Sequence, residues 1–207
     1  MNASTLRELI AGPAGDIECA VDEPIGTPFG VAVVCHPHPQ HGGTLDNKVV
    51  QTLARAFLQR GYRSVRFNFR GVGASAGTWD DGRGEVDDAL AVIRHFRPAA
   101  QPWLLAGFSF GAYVASQAAA HLPDDAKLLR MVLVGPSTQK QVMANVPADT
   151  VIIHGETDDV VPLSSTLDWA RPQGLPVIVF PGVGHFFHGQ LARLKSVVIQ
   201  QLLSPSA

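Results

Sequence analysis

The chain predicts an α/β fold, with a mostly parallel central sheet and helices on both faces. Three observations predict it. Short runs of Val, Ile, Leu and Phe alternate with longer stretches of helical periodicity. Most of those runs are apolar at successive positions, as in strands covered on both sides. One such run, Trp103-Leu104-Leu105-Ala106, leads directly into Gly107-Phe108-Ser109-Phe110-Gly111 and then into a helical segment, a strand-turn-helix unit.

Each element has its own signal. Runs 6–10 and 17–21, separated by Gly12-Pro13-Ala14-Gly15, read as a hairpin at one edge of the sheet. Core strands are expected at 30–35, 64–69, 103–106, 131–134, 150–153 and 176–180. A helix over 46–60 carries Val49, Val50, Leu53, Phe57 and Leu58, with Gly61 as its C-terminal stop. A second, over 85–97, carries Val86, Leu90, Ile93 and Phe96, and Pro98 ends it. Residues 112–120 read as a buried helix, another begins near Ser164, and the last, over 190–203, carries Leu191, Leu194, Val197, Val198 and Leu202. The stretch 136–149 has room for one short helix but not for a cap domain.

Bulk properties bound the function. A chain of 207 residues suits a single domain, 1–207, with a real core. Its composition, 46% apolar and 16% charged, is that of a soluble globular protein. The formal net charge is −2 and no Lys/Arg cluster occurs, which argues against nucleic acid and anionic membranes as partners. Residues 1–10 lack a secretory pattern, and no apolar run approaches the roughly 18 residues of a membrane span. Two cysteines, Cys19 and Cys35, make no disulfide framework, and Cys35 reads as a small buried hydrophobe. A reduced, cytoplasmic setting is the expectation.

The chemistry starts at Ser109. A serine on a tight strand-to-helix turn has its hydroxyl pushed outward, and flanking glycines permit the close backbone approach. Such a hydroxyl needs a base and a group that orients the base. Downstream stand His154-Gly155-Glu156-Thr157-Asp158-Asp159 and then Gly182-Val183-Gly184-His185, each after a predicted strand. In a parallel sheet the loops at the carboxyl ends of the strands gather at one rim. Asp158 is the favoured acid, because it must face the imidazole. Asp159 reads as a solvated loop residue or a cap for the helix beginning near Ser164. His185 is the favoured base, with His188 expected in the first turn of the following helix.

An oxyanion needs main-chain N–H donors. Phe110 follows the serine and supplies one. The loop His36-Pro37-His38-Pro39 supplies the other through His38, because its prolines have no N–H. His36, His38 and His41 invite a metal reading, but no carboxylate or cysteine joins them at ligand spacing, so neither metal nor other cofactor is expected. The glycine-rich 69–77 segment lacks the Gly-Lys-Ser/Thr of a phosphate loop and reads as a tight turn. Trp79, Phe110, Phe186 and Phe187 are candidates to line an apolar acyl pocket, with ordinary packing the alternative for Trp79 and one phenylalanine.

These residues together resemble the α/β-hydrolase superfamily, and more closely its small lidless serine hydrolases. The matching pieces are His36-Pro37-His38-Pro39 with Gly42-Gly43-Thr44, Phe67-Asn68-Phe69-Arg70-Gly71-Val72-Gly73-Ala74-Ser75, Gly107-Phe108-Ser109-Phe110-Gly111, His154-Gly155 with Asp158, and Gly184-His185. They span nearly the whole chain in the family's order. The resemblance implies an α/β-hydrolase fold without a cap domain and an ester-cleaving enzyme related to carboxylesterases and dienelactone hydrolases. The latter use a cysteine where this chain has Ser109. The implied substrate is a small carboxylic ester, cleaved without a cofactor. The same machinery on amides, peptides or thioesters is the nearest alternative, and a non-catalytic binding protein on this scaffold a more distant one.

Overall fold

Successive strands and helices alternate through most of the chain, as the apolar runs require. In the computed structural model, which describes residues 5–97, 101–123, 126 and 128–202, the elements are β1 (Leu6–Gly12), β2 (Gly15–Asp22), β3 (Gly30–Cys35), α1 (Lys48–Gln59), β4 (Tyr62–Phe67), α2 (Arg83–Phe96), β5 (Trp103–Phe108), α3 (Phe110–Ala120), β6 (Leu128–Val134), β7 (Val151–Gly155), α4 (Leu163–Ala170), β8 (Val177–Phe180) and α5 (Leu191–Gln201). Pro98 and Leu203, each expected to mark a helix end, lie outside the described residues.

The strands form one sheet in the order β1-β2-β4-β3-β5-β6-β7-β8. From β4 to β8 all neighbours are parallel. The N-terminal hairpin adds two antiparallel strands at one edge. Every residue of β3, β5 and β7 is buried. The reason is the two-residue period of a strand. Val31, Val33 and Cys35 point to a core layer shared with α2 and α3, while Ala32 and Val34 point to the opposite layer under α1 and α5. Both faces are apolar, so no position in these strands can be polar without a partner.

Local chemistry sets the boundaries. The Asn47 side chain accepts from the N–H groups of Val49 and Val50 and starts α1. β5 runs two residues past its expected end because Phe108 still pairs with Val134. β4 stops at Phe67, and the next two residues turn to other partners. Asn68 Oδ1 accepts from Leu45 N, and Phe69 N donates to His36 Nε2. The stretch 136–149 carries turns and no helix.

Candidate active site

Ser109 sits at the carboxyl end of β5, immediately before α3, with φ 56° and ψ −117°. That conformation is strained for a residue with a side chain and persists only where surrounding contacts enforce it. Here they do. The Ser109 N–H donates to Val134 O at 2.9 Å. A Cβ on Gly107 would stand 2.2 Å from Gly111 O, and one on Gly111 would stand 2.3 Å from Cys35 O. Only glycine lets the elbow close on itself and lets the end of β3 press against it. The second approach carries the His36–His38 segment to the start of α3.

His185, in the loop after β8, bridges the other two groups. Its Nε2 lies 3.0 Å from Ser109 Oγ and its Nδ1 lies 2.6 Å from Asp158 Oδ2. All three residues are buried, at 8%, 7% and 3% exposure for Ser109, Asp158 and His185. An ionised carboxylate can only accept, so Nδ1 carries the proton and Nε2 presents its lone pair to the serine hydroxyl. The Asp158 carboxylate is held further. Its Oδ1 accepts from Val160 N at 2.9 Å and from Val161 N at 2.8 Å. Burial pushes its pKa up, but the His185 hydrogen bond and charge and the two N–H donors outweigh that and leave it below the ordinary carboxylate value. A backbone bond from Thr157 N to Val183 O, 3.1 Å, ties the acid loop to the histidine loop.

A further histidine completes the cluster. His154, fully buried at the end of β7, has Nε2 2.9 Å from Val161 O and 3.4 Å from Asp158 Oδ2. Burial lowers its pKa and keeps it neutral. The carbonyl of Val161 can only accept, so the single proton is on Nε2, aimed between the two oxygens. Its Nδ1 has no partner among the described residues.

The cleft beside Ser109 has a volume of about 320 Å³, at the small end for ligand sites. His38 and Phe110 both line it, and their main-chain N–H groups donate to no protein acceptor among the described residues. The His38 ring packs on Phe110 and Trp79, with centroids 5.0 and 4.6 Å apart. His36 does not join it in any metal-like set. Its Nε2 accepts from Phe69 N and its Nδ1–H donates to Pro37 O, so both ring nitrogens are occupied in holding the loop to the end of β4.

The structure thus brings Ser109, Asp158 and His185 together and sets His38 and Phe110 beside them. Asp159 is exposed and takes no part in the relay. Nor does it cap α4, whose N-cap is Pro162. His188 falls in the turn before α5, stacked on Phe186, rather than in the helix. The expected pocket is corrected at two positions. Phe186 lines the cleft at 46% exposure, but Phe187 does not. Its positive φ turns the ring into the core, where it meets Phe180 edge-on at 5.3 Å. Trp79 does not line the cleft either. It stands behind it, against Phe110 at 5.1 Å, with Nε1 donating to Asp81. Sequence reasoning missed His154, whose signal was a histidine closing an apolar strand four residues before the acid.

Comparison with known proteins agrees with this architecture. Residues 27–151 match the family described as serine aminopeptidase, S33 (Hydrolase_4). The chain belongs to that family. An uncharacterized protein of Rickettsia prowazekii is 30% identical over 93% of this chain and 87% of its own length. Among solved structures, an α/β serine hydrolase without a lid from Xanthomonas campestris is 35% identical, with a TM-score of 0.88 over 98% of this chain and 95% of that one. An α/β serine hydrolase homologue from Coxiella burnetii is 38% identical, with a TM-score of 0.84 over 95% of this chain and 97% of that one. The chain has the lidless α/β serine hydrolase fold. Among the described residues, no helix is long and apolar enough to cross a membrane.

Proposed function

We propose that the chain is a serine esterase that cleaves small carboxylic esters through an acyl-enzyme. The supporting observation is the unbroken hydrogen-bonded series from Ser109 Oγ through His185 to Asp158, with the imidazole tautomer fixed by the carboxylate. Ser109 Oγ attacks the ester carbonyl carbon while His185 Nε2 takes its proton. The negative oxygen of the tetrahedral intermediate is held by the main-chain N–H groups of His38 and Phe110. As it collapses, the bond to the alcohol oxygen breaks and His185 returns the proton to that oxygen. Water then enters by the same base-assisted route and releases the acid. Asp158 stays ionised and stabilises the imidazolium. No step needs a cofactor. The cleft's size favours short acyl groups.

The family's description raises a second reading, an aminopeptidase. Such an enzyme must hold a free ammonium group, for which a carboxylate is the natural partner. The residues lining the cleft include no aspartate or glutamate, and its titratable side chains apart from His185 are His38, His41 and Lys140. That composition favours the ester. A fluorophosphonate probe is expected to label the folded protein at Ser109, located by peptide mass spectrometry. On a panel of p-nitrophenyl esters, aminoacyl anilides and thioesters, acetate and butyrate esters are expected to turn over fastest. Faster cleavage of aminoacyl anilides would install the peptidase reading, and a folded protein that resists the probe would end the hydrolase one.

A further inference from the structure

We infer that the substrate carries an anionic group away from its scissile carbonyl, recognised by Lys140 and the His38 ring at the mouth of the cleft. This inference rests on the esterase reading above and narrows its substrate class.

Charge is distributed unevenly over the molecule. The chain has a net charge of −2, and many of its arginines are tied to carboxylates. Arg66 pairs with Asp22 and Asp46, Arg70 with Asp88, Arg63 with Glu23, and Arg171 with Asp168. Lys140 is different. It lies exposed in the turn-rich 136–149 stretch, lines the cleft, and forms no ion pair or hydrogen bond with any described residue. A cation left unneutralised beside a binding cleft is an attractor for anions.

No aspartate or glutamate lines the cleft to neutralise it. Asp158 is buried and committed to His185 and to the N–H groups of Val160 and Val161. Asp159 opens onto a neighbouring depression with Pro181, Gly182 and His188, and is absent from the cleft wall.

The His38 ring adds a directional donor. Gln40 N donates to its Nδ1 at 3.3 Å, so in the neutral ring the proton sits on Nε2. Burial, helped by the nearby His41 and Lys140, lowers the His38 pKa and keeps that neutral form. The cleft lining therefore includes one lysine ammonium and a His38 ring whose Nε2–H has no protein acceptor among the described residues, together with the apolar Phe110, Val160, Val161 and Phe186. An apolar chain ending in a carboxylate or phosphate matches it, and the anion can belong to the acyl part or to the alcohol part.

Paired esters that differ only in that charge test the idea. On the acyl side, p-nitrophenyl hemiadipate is compared with its neutral methyl ester. On the alcohol side, 4-acetoxybenzoate is compared with methyl 4-acetoxybenzoate. Each rate is divided by that of hydroxide-catalysed hydrolysis. The readout is the ratio of kcat/KM, anionic over neutral, within each protein. At low ionic strength the wild-type ratio is expected to be about five in one arm, the size of an exposed charge pair. The arm that shows it identifies which part of the substrate carries the anion. Lys140→Gln is expected to bring that ratio to about one, Lys140→Glu to invert it, and Lys140→Arg to keep it, with the change in KM. Added salt is expected to erode the wild-type preference. Wild-type ratios of one or less in both arms, or a preference untouched by Lys140→Gln, would overturn the inference. Turnover of p-nitrophenyl acetate by the same wild-type sample separates that outcome from failure of the esterase reading, which would abolish all hydrolysis.

Discussion

The elbow at Ser109 and the acid loop after β7 meet the same imidazole from opposite sides, and different forces hold them there. Ser109 is fixed by its backbone: a positive φ, close approaches at Gly107 and Gly111, and a main-chain bond to Val134. Its side chain contributes one hydrogen bond, to His185. Asp158 is the reverse case. Its carboxylate accepts from two main-chain N–H groups and from His185, with the His154 Nε2–H close by. The elbow is a shape that carries a side chain, whereas the acid loop is a shape made by one. Substituting the two residues therefore separates activity from stability at one site and couples them at the other.

The sharpest break of this comparison is Ser109→Gly. It removes the proposed nucleophile and relieves the strained backbone together. Hydrolysis of p-nitrophenyl acetate is expected to fall about 10⁴-fold or more. Stability in urea is expected to rise by about 1 kcal/mol, the strain relieved less the entropy glycine adds to the unfolded chain. A less stable variant would show that the side chain, not the backbone, holds the elbow.

Asp158→Asn is expected to cost about 10³- to 10⁴-fold in kcat, because the amide favours the wrong imidazole tautomer. Here stability is expected to fall as well, by about 1–3 kcal/mol, as charge-assisted bonds to Val160, Val161 and His185 are weakened. Unchanged stability would place the acid in the same class as the serine.

Acid sensitivity is the smallest effect and sharpens the contrast from outside the relay. Burial pushes the His36 pKa down to about 3 and also lowers that of His154. Unfolded, each takes up its proton near pH 6.5. The unfolded chain thus binds more protons below that pH, and stability present above about 6.5 is lost as pH falls, by about 1.4 kcal/mol per unit for His36, with His154 acting in the same direction. Asp158 adds its loss only at lower pH, as its own depressed pKa is approached. Urea midpoints between pH 7 and 5 are expected to drop more steeply for the wild type than for His36→Gln. Equal slopes would mean that His36 titrates normally.

Much of this was legible in the sequence because the signals were local. Continuous apolar runs marked strands covered on both faces, and β3 and β5 are buried at every position. Glycines around Ser109 marked a close backbone approach, and Cys35 and Gly111 supply it. Ser109, Asp158 and His185 each followed a strand, so topology alone predicted that they share a rim. What stayed hidden depended on orientation. Phe186 and Phe187 are adjacent phenylalanines, and only the backbone turn at Phe187 decides which ring enters the core. His154 looks like any strand-terminal histidine until the chain folds back to set Asp158 beside it. Lys140 is one exposed lysine in a polar stretch, and its relation to the cleft comes from how the 136–149 stretch is draped. That stretch also formed no helix, although its length allowed one.

The same bare connection has a kinetic consequence. Among the described residues no hinged cover lies over the cleft, so the proposed turnover is expected to have no gate waiting on aggregated substrate. For the esterase proposed above, rate is expected to follow the concentration of freely dissolved substrate, without a jump where droplets or micelles appear. An initial-rate plot that stays smooth through the solubility limit of the substrate is the outcome this bare rim leads one to expect.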